Sequence, residues 1–68
     1  MNITFETELE ADGRWIAEVP EISGVMAYGA SEGEAIAKAE SLALRVLADR
    51  IDQGESGAMP ISVRIAAE

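Results

Sequence analysis

The sequence predicts an α+β domain in the order β-β-β-α-β. Three observations predict it. Residues 2–19 alternate apolar and polar side chains on either side of Ala11-Asp12-Gly13, residues 32–52 repeat apolar side chains at helical spacing, and the alternation returns at Ile61, Val63 and Ile65. This order builds an antiparallel three-stranded sheet plus a fourth strand, reached by a crossover helix packed on one face. At 68 residues the chain is a single small domain, 1–68, with no separate DNA-binding domain expected.

In the first strand Ile3, Phe5 and Leu9 fall on one face and Thr4, Glu6, Glu8 and Glu10 on the other, the pattern of a half-buried strand. Over residues 14–19 Trp15, Ala17 and Val19 take the apolar side. The faces determine the register. A three-residue loop pairs Glu10 with Arg14, Leu9 with Trp15, Thr7 with Ala17 and Glu6 with Glu18. The apolar residues then share one face, and Gly13 takes the left-handed position such loops need. A two-residue loop at Asp12-Gly13 would set Glu10 against Trp15 and mix the faces.

Pro20 cannot donate to a ladder and Gly24 permits a bend, so the second strand ends there. Val25 to Tyr28 reads as a short third strand ended by Gly29. Ser31 and Glu34 have capping-box spacing, opening a helix of about 20 residues from Glu32 to Ile51 or Asp52. Its apolar face carries Ile36, Ala39, Leu42, Ala43, Val46 and Leu47 and extends to Leu44 and Ile51. The polar arc is narrow: Glu34, Lys38, Ser41, Arg45, Asp49 and Asp52. A helix that packs only on a sheet needs an apolar stripe a little over 100° wide. This one is closer to twice that, and the excess predicts a homodimer or higher assembly. Gln53 to Ala58 reads as a loop, and Met59-Pro60 leads into the last strand, where Ile61, Val63 and Ile65 alternate with Ser62 and Arg64.

Lys and Arg number 5 against 13 Asp and Glu, a net charge of −8. That balance removes the usual driving force for nucleic-acid binding and suits a basic partner. The chain has no Cys and no His, which excludes disulfides, thiol nucleophiles, Cys or His metal sites and the commonest general base. No segment reads as a signal peptide or a membrane span, so the expected location is the cytoplasm. Gly24, Gly29 and Gly33 match no phosphate-binding loop and read as backbone devices. Trp15 is expected in the core and Tyr28 in the core or an interface. Arg14 and Arg64 are expected to pair with Glu across strands.

One cluster could carry function. Glu6, Glu8 and Glu18 share the outer face of the first hairpin, with Glu6 directly across from Glu18. As an exposed acidic face they need no ligand, because like charges opposite each other cost only a fraction of a kcal/mol. A basic partner protein is the binding reading of the same residues. A Mg²⁺ held between two carboxylates for hydrolysis is the enzymatic one.

The stretch from Asp12 to Lys38 resembles the HicB-like antitoxin family. The family pattern is Asp-Gly, an aromatic, Glu-Val-Pro-Glu with a Gly four after the Pro, a second Gly, then Ser or Thr and a helix rich in Glu and Ala. Here those positions are Asp12, Gly13, Trp15, Glu18, Val19, Pro20, Glu21, Gly24, Gly29, Ser31, Glu34 and Ala35. The flanking strands fit the pattern across nearly the whole chain. The resemblance implies a partial ribonuclease-H-like fold and a domain that is not an enzyme and takes no cofactor. It implies a protein partner, a small basic ribonuclease toxin that cleaves mRNA and whose catalytic His and RNA-binding face the antitoxin covers. Many members carry a C-terminal DNA-binding helix-turn-helix or ribbon-helix-helix. This sequence stops at Glu68, just after its last strand, so direct DNA binding is not expected. Short stand-alone members exist, many without a demonstrated toxin, and the alternative expectation is an orphan homo-oligomeric regulatory or scaffold module.

Overall fold

The computed structural model describes residues 2–54 and 62–67. In chain order it contains β1 (Asn2–Leu9), β2 (Trp15–Glu18), β3 (Met26–Gly29), α1 (Glu32–Asp52) and β4 (Ser62–Ala67). The first three strands form an antiparallel sheet and α1 covers one of its faces, so the α+β class expected from the sequence is the one adopted. β4 pairs in parallel with β1, from Asn2↔Ser62 to Thr7↔Ala67, giving the strand order β3-β2-β1-β4. Residues 55–58 of the expected loop, the Met59-Pro60 lead-in, Ile61 and the side chains of Val63 and Ile65 lie outside the described residues.

The first hairpin has the register that its two faces require: Glu6↔Glu18, Thr7↔Ala17 and Leu9↔Trp15. The Glu10 N–H donates to the Arg14 carbonyl at 2.7 Å and the Gly13 N–H to the Glu10 carbonyl at 3.0 Å. Gly13 sits at φ +89°, a conformation L side chains rarely adopt. β2 is shorter than the alternation suggested and β3 starts one residue later. Val19 N–H reaches the Val25 carbonyl and Val25 N–H the Ile22 carbonyl, so both valines belong to the bend around Pro20–Gly24.

The core joins Ile3, Phe5, Ala17, Val19, Ile22 and Val25 to Ala35, Ala39, Ala43 and Leu47 of α1. Three alanines at i, i+4 spacing let the helix lie close on the sheet, so most of the bulk comes from the strands and the bend. The broad apolar face expected of the helix is therefore only partly used. Ile36, Leu42 and Val46 are half-buried, while Leu44 is 46% and Ile51 37% exposed. Leu9 shares the face of Trp15 as expected, yet it is 55% exposed. The Thr7 hydroxyl already meets Glu32 in the first helical turn, and Leu9 lies two residues further along β1, past the start of α1.

Thr7 is a polar side chain inside the core, 1% exposed. Its Oγ1 donates to Glu32 Oε2 at 2.7 Å, joining β1 to the start of α1 across 25 residues of sequence. Glu32→Ala is expected to strand the buried hydroxyl and lower stability by about 1–3 kcal/mol. The double variant Thr7→Val with Glu32→Ala should recover most of that loss. Urea titration followed by circular dichroism measures both, and an unchanged midpoint for Glu32→Ala would show that the bond adds nothing.

Candidate functional site

On the face of the sheet opposite α1, two cross-strand rows run across β1, β2 and β3, and the pair Thr4↔Arg64 lies beside them on β1 and β4. One is Glu6↔Glu18↔Met26 and the other Glu8↔Ile16↔Tyr28. Period two along each strand sends these side chains away from the helix. Glu6, Glu8 and Glu18 are all exposed, and the structure brings them onto the single face that the register predicts. Among the described residues the ion pairs are Arg14–Asp12 at 2.8 Å and Lys38–Glu34 at 3.5 Å, and neither involves these three glutamates. Their charge is therefore open to an approaching cation or cationic protein.

The acidic rows have an apolar centre that the sequence reading passed over. Ile16 is 8% exposed although it points away from the helix. It lies between Glu8 and Tyr28, and Tyr28 carries the Arg14 guanidinium 4.3 Å from its ring centroid. Met26 beside Glu18 is 45% exposed. The alternation held the signal, since Ile16 sits between Trp15 and Ala17 and must face the side of Glu18. Arg14 departs from its expected cross-strand Glu. The loop curls Asp12 back onto the Arg14 N–H at 3.0 Å and onto its Nε at 2.8 Å, which takes the place of the expected partner. These bonds, the backbone one first, hold the Asp12 carboxyl below its ordinary range. Arg64 is exposed on β4 opposite Thr4 and makes no ion pair among the described residues.

The other positions of the family-like pattern are scaffold. Asp12 and Gly13 form the hairpin loop, Trp15 packs half-buried against the core, and Val19 is buried while Pro20 and Gly24 are exposed in the bend. Glu21 reaches from that bend to accept the Thr4 N–H at 3.1 Å, which lowers its carboxyl pKa. Ser31 Oγ accepts the Glu34 N–H at 3.1 Å as the helix cap. Glu34 returns to the Ala30 N–H at 2.8 Å, and this backbone bond, then the Lys38 charge, lowers its carboxyl pKa.

Among the described residues no three acidic side chains are grouped to hold a metal ion. The recess between Glu6, Glu8, Ile16 and Glu18 measures about 100 Å³ and the one along Pro20–Met26 about 210 Å³, below the roughly 300–1,000 Å³ of small-molecule sites. Among the described residues no helix is long and apolar enough to cross a membrane. Comparison with protein-family models, curated proteins and solved structures gives no match.

Proposed function

We propose that the chain is a non-catalytic, antitoxin-like domain of the cytoplasm that binds and occludes a small basic mRNA-cleaving ribonuclease. It takes no cofactor and does not bind DNA or RNA directly. The observation that carries this reading is the outer sheet face, where Glu6, Glu8 and Glu18 stand exposed and outside the ion pairs of the described residues, around Ile16, Met26 and Tyr28. An apolar centre with an acidic rim is complementary to a basic protein surface, and a net charge of −8 raises the rate of encounter. The family resemblance of Asp12 to Lys38 supplies the kind of partner. The full β-β-β-α-β order, read as a partial ribonuclease-H-like arrangement, belongs to the same proposal and is supported by the parallel register of residues 62–67 beside β1.

A second reading is an orphan homo-oligomeric scaffold or regulatory module. The exposed Leu44, Ile51 and Met26 favour self-association. The readings part in a pull-down with the whole chain as bait, eluted by a salt step, followed by an mRNA-cleavage assay on what elutes. The antitoxin reading expects a small basic ribonuclease that the added chain inhibits. The triple variant Glu6→Gln, Glu8→Gln, Glu18→Gln should then bind about tenfold more weakly, with a flatter salt dependence. Recovery of the chain alone would overturn that reading and leave the oligomer.

A further inference from the structure

The sheet ends at β3, a four-residue edge strand of sequence Met26-Ala27-Tyr28-Gly29. Soluble proteins usually guard such an edge with a charge, a proline, a bulge or a covering segment. β3 has no charged residue and no proline, and it pairs with β2 residue for residue without a bulge. This is an unusual stretch in a chain with 13 acidic residues.

The backbone of this edge can be followed group by group. Val19 N–H donates to the Val25 carbonyl at 3.1 Å, so Val25 turns its carbonyl towards the second strand, while its N–H closes the bend on the Ile22 carbonyl at 3.2 Å. In an antiparallel ladder this orientation alternates. Ala27 and Gly29 therefore also face β2, and the N–H and C=O groups of Met26 and Tyr28 face outwards. Among the described residues no turn, cap or side-chain bond takes up these outward groups.

We propose that this edge pairs with the same edge of a second copy, antiparallel about a two-fold axis through Ala27, so that the two sheets become one. The inference rests on the self-association reading above and names its surface; it does not depend on a toxin. In this register Met26 of each copy lies opposite Tyr28 of the other. Both residues point their backbone groups outwards, so the two pairs close four hydrogen bonds. The register also keeps side chains on matching faces, with Met26 and Tyr28 both on the outer one. Ile16, Met26 and Tyr28 of the two copies then make one continuous apolar strip.

Charge selects a second copy over an arbitrary strand. The neutral edge is where two chains of net charge −8 can approach with the least repulsion. The Arg14 guanidinium over Tyr28 is carried to the outer-face row that holds Met26 and Glu18 of the other copy. Glu18 is then two strand spacings from Tyr28, roughly 10 Å, which the two long side chains span. The result is an isologous interface with the same contact made twice.

Three forms of the full chain test this. The unmodified chain should sediment as a concentration-dependent dimer, with a dissociation constant on the order of tens of micromolar for so short an edge. The chain has no Cys, so Ala27→Cys introduces one thiol at the two-fold axis. Ala27 would face its own copy in a non-hydrogen-bonded pair, where Cα atoms approach to about 4.5 Å and a disulfide can close. Mild oxidation should link Ala27→Cys into a covalent dimer and leave the Ser23→Cys control monomeric. Chemical synthesis with an N-methyl group on the Tyr28 amide removes two of the four bonds without touching the β2 ladder. It should raise the dissociation constant at least about thirtyfold with the circular dichroism unchanged. A monomer at several hundred micromolar would overturn both the edge and the self-association reading. A dimer that neither cross-links through Ala27→Cys nor responds to N-methylation would overturn the edge and leave self-association standing.

Discussion

Gly29→Ala is expected to leave the domain largely unfolded at room temperature. A Cβ on Gly29 would lie 2.5 Å from the Ala35 backbone nitrogen, 3.0 Å from the Ala35 Cα and 3.0 Å from the Glu34 carbonyl carbon. All three are backbone atoms of the first helical turn, so no side chain can rotate away. Relief requires α1 to move off the sheet. That turn is held by the Ser31 cap, by the Glu34 bond to the Ala30 N–H and by the alanine seam itself. Overpacking costs about 1–3 kcal/mol, and a clash between two backbones belongs at the top of that range or above it. A domain below about 70 residues rarely holds more than 3–5 kcal/mol in its core. Gly33→Ala is the matched control. Nothing lies within 4 Å of its would-be Cβ, and it is inside the helix, so the change should stabilise by about 0.5–1 kcal/mol. Urea midpoints by circular dichroism read both, and a Gly29→Ala midpoint equal to that of the unaltered chain would mean that the close approach is not a constraint.

Phe5→Ala should have the second-largest effect, about 3–5 kcal/mol. Phe5 is 1% exposed on β1, between β2 and β4, and faces the helix. The cost of a core truncation depends on how far the surroundings can collapse into the space. Here the helical side of the core is largely Ala35, Ala39 and Ala43, which have no longer side chains to swing in. The cavity should persist and the loss fall near the upper end. Phe5→Leu keeps most of the volume and should cost under about 1.5 kcal/mol. Equal losses for the two variants would show that the core relaxes freely around this position.

These two positions differ in how readable they were. Phe5 follows from period two: an aromatic between Ile3 and Thr7 on a strand with Glu6 and Glu8 on its other face has to point inwards. Gly29 read only as the end of a strand, because what forbids its side chain is the backbone of Glu34 and Ala35, folded back over it from five and six residues further on. The acidic face was readable in outline. Alternation and a three-residue loop were enough to set Glu6 against Glu18 and to put Glu8 beside them. Its apolar centre was not singled out, since the alternation that turns Trp15, Ala17 and Val19 inwards says nothing of what flanks Ile16, and only the pairing with Glu8 and Tyr28 puts it at the middle of the outer face.

By itself the sequence determined what acts over a few residues or through strict periodicity. That includes the hairpin register, the left-handed Gly13, the Ser31 cap, the extent of α1 and the α+β class, because each depends on backbone geometry within one turn or one strand pair. Only the tertiary structure decided how closely the helix lies on the sheet and where along the strands it begins. That placement forbids a side chain at Gly29, buries Thr7 against Glu32, exposes Leu9 beyond the helix start and leaves Leu44 and Ile51 in solvent. Each is a contact, or a missing contact, between separate elements, set by how the layers pack rather than by any local preference of the chain.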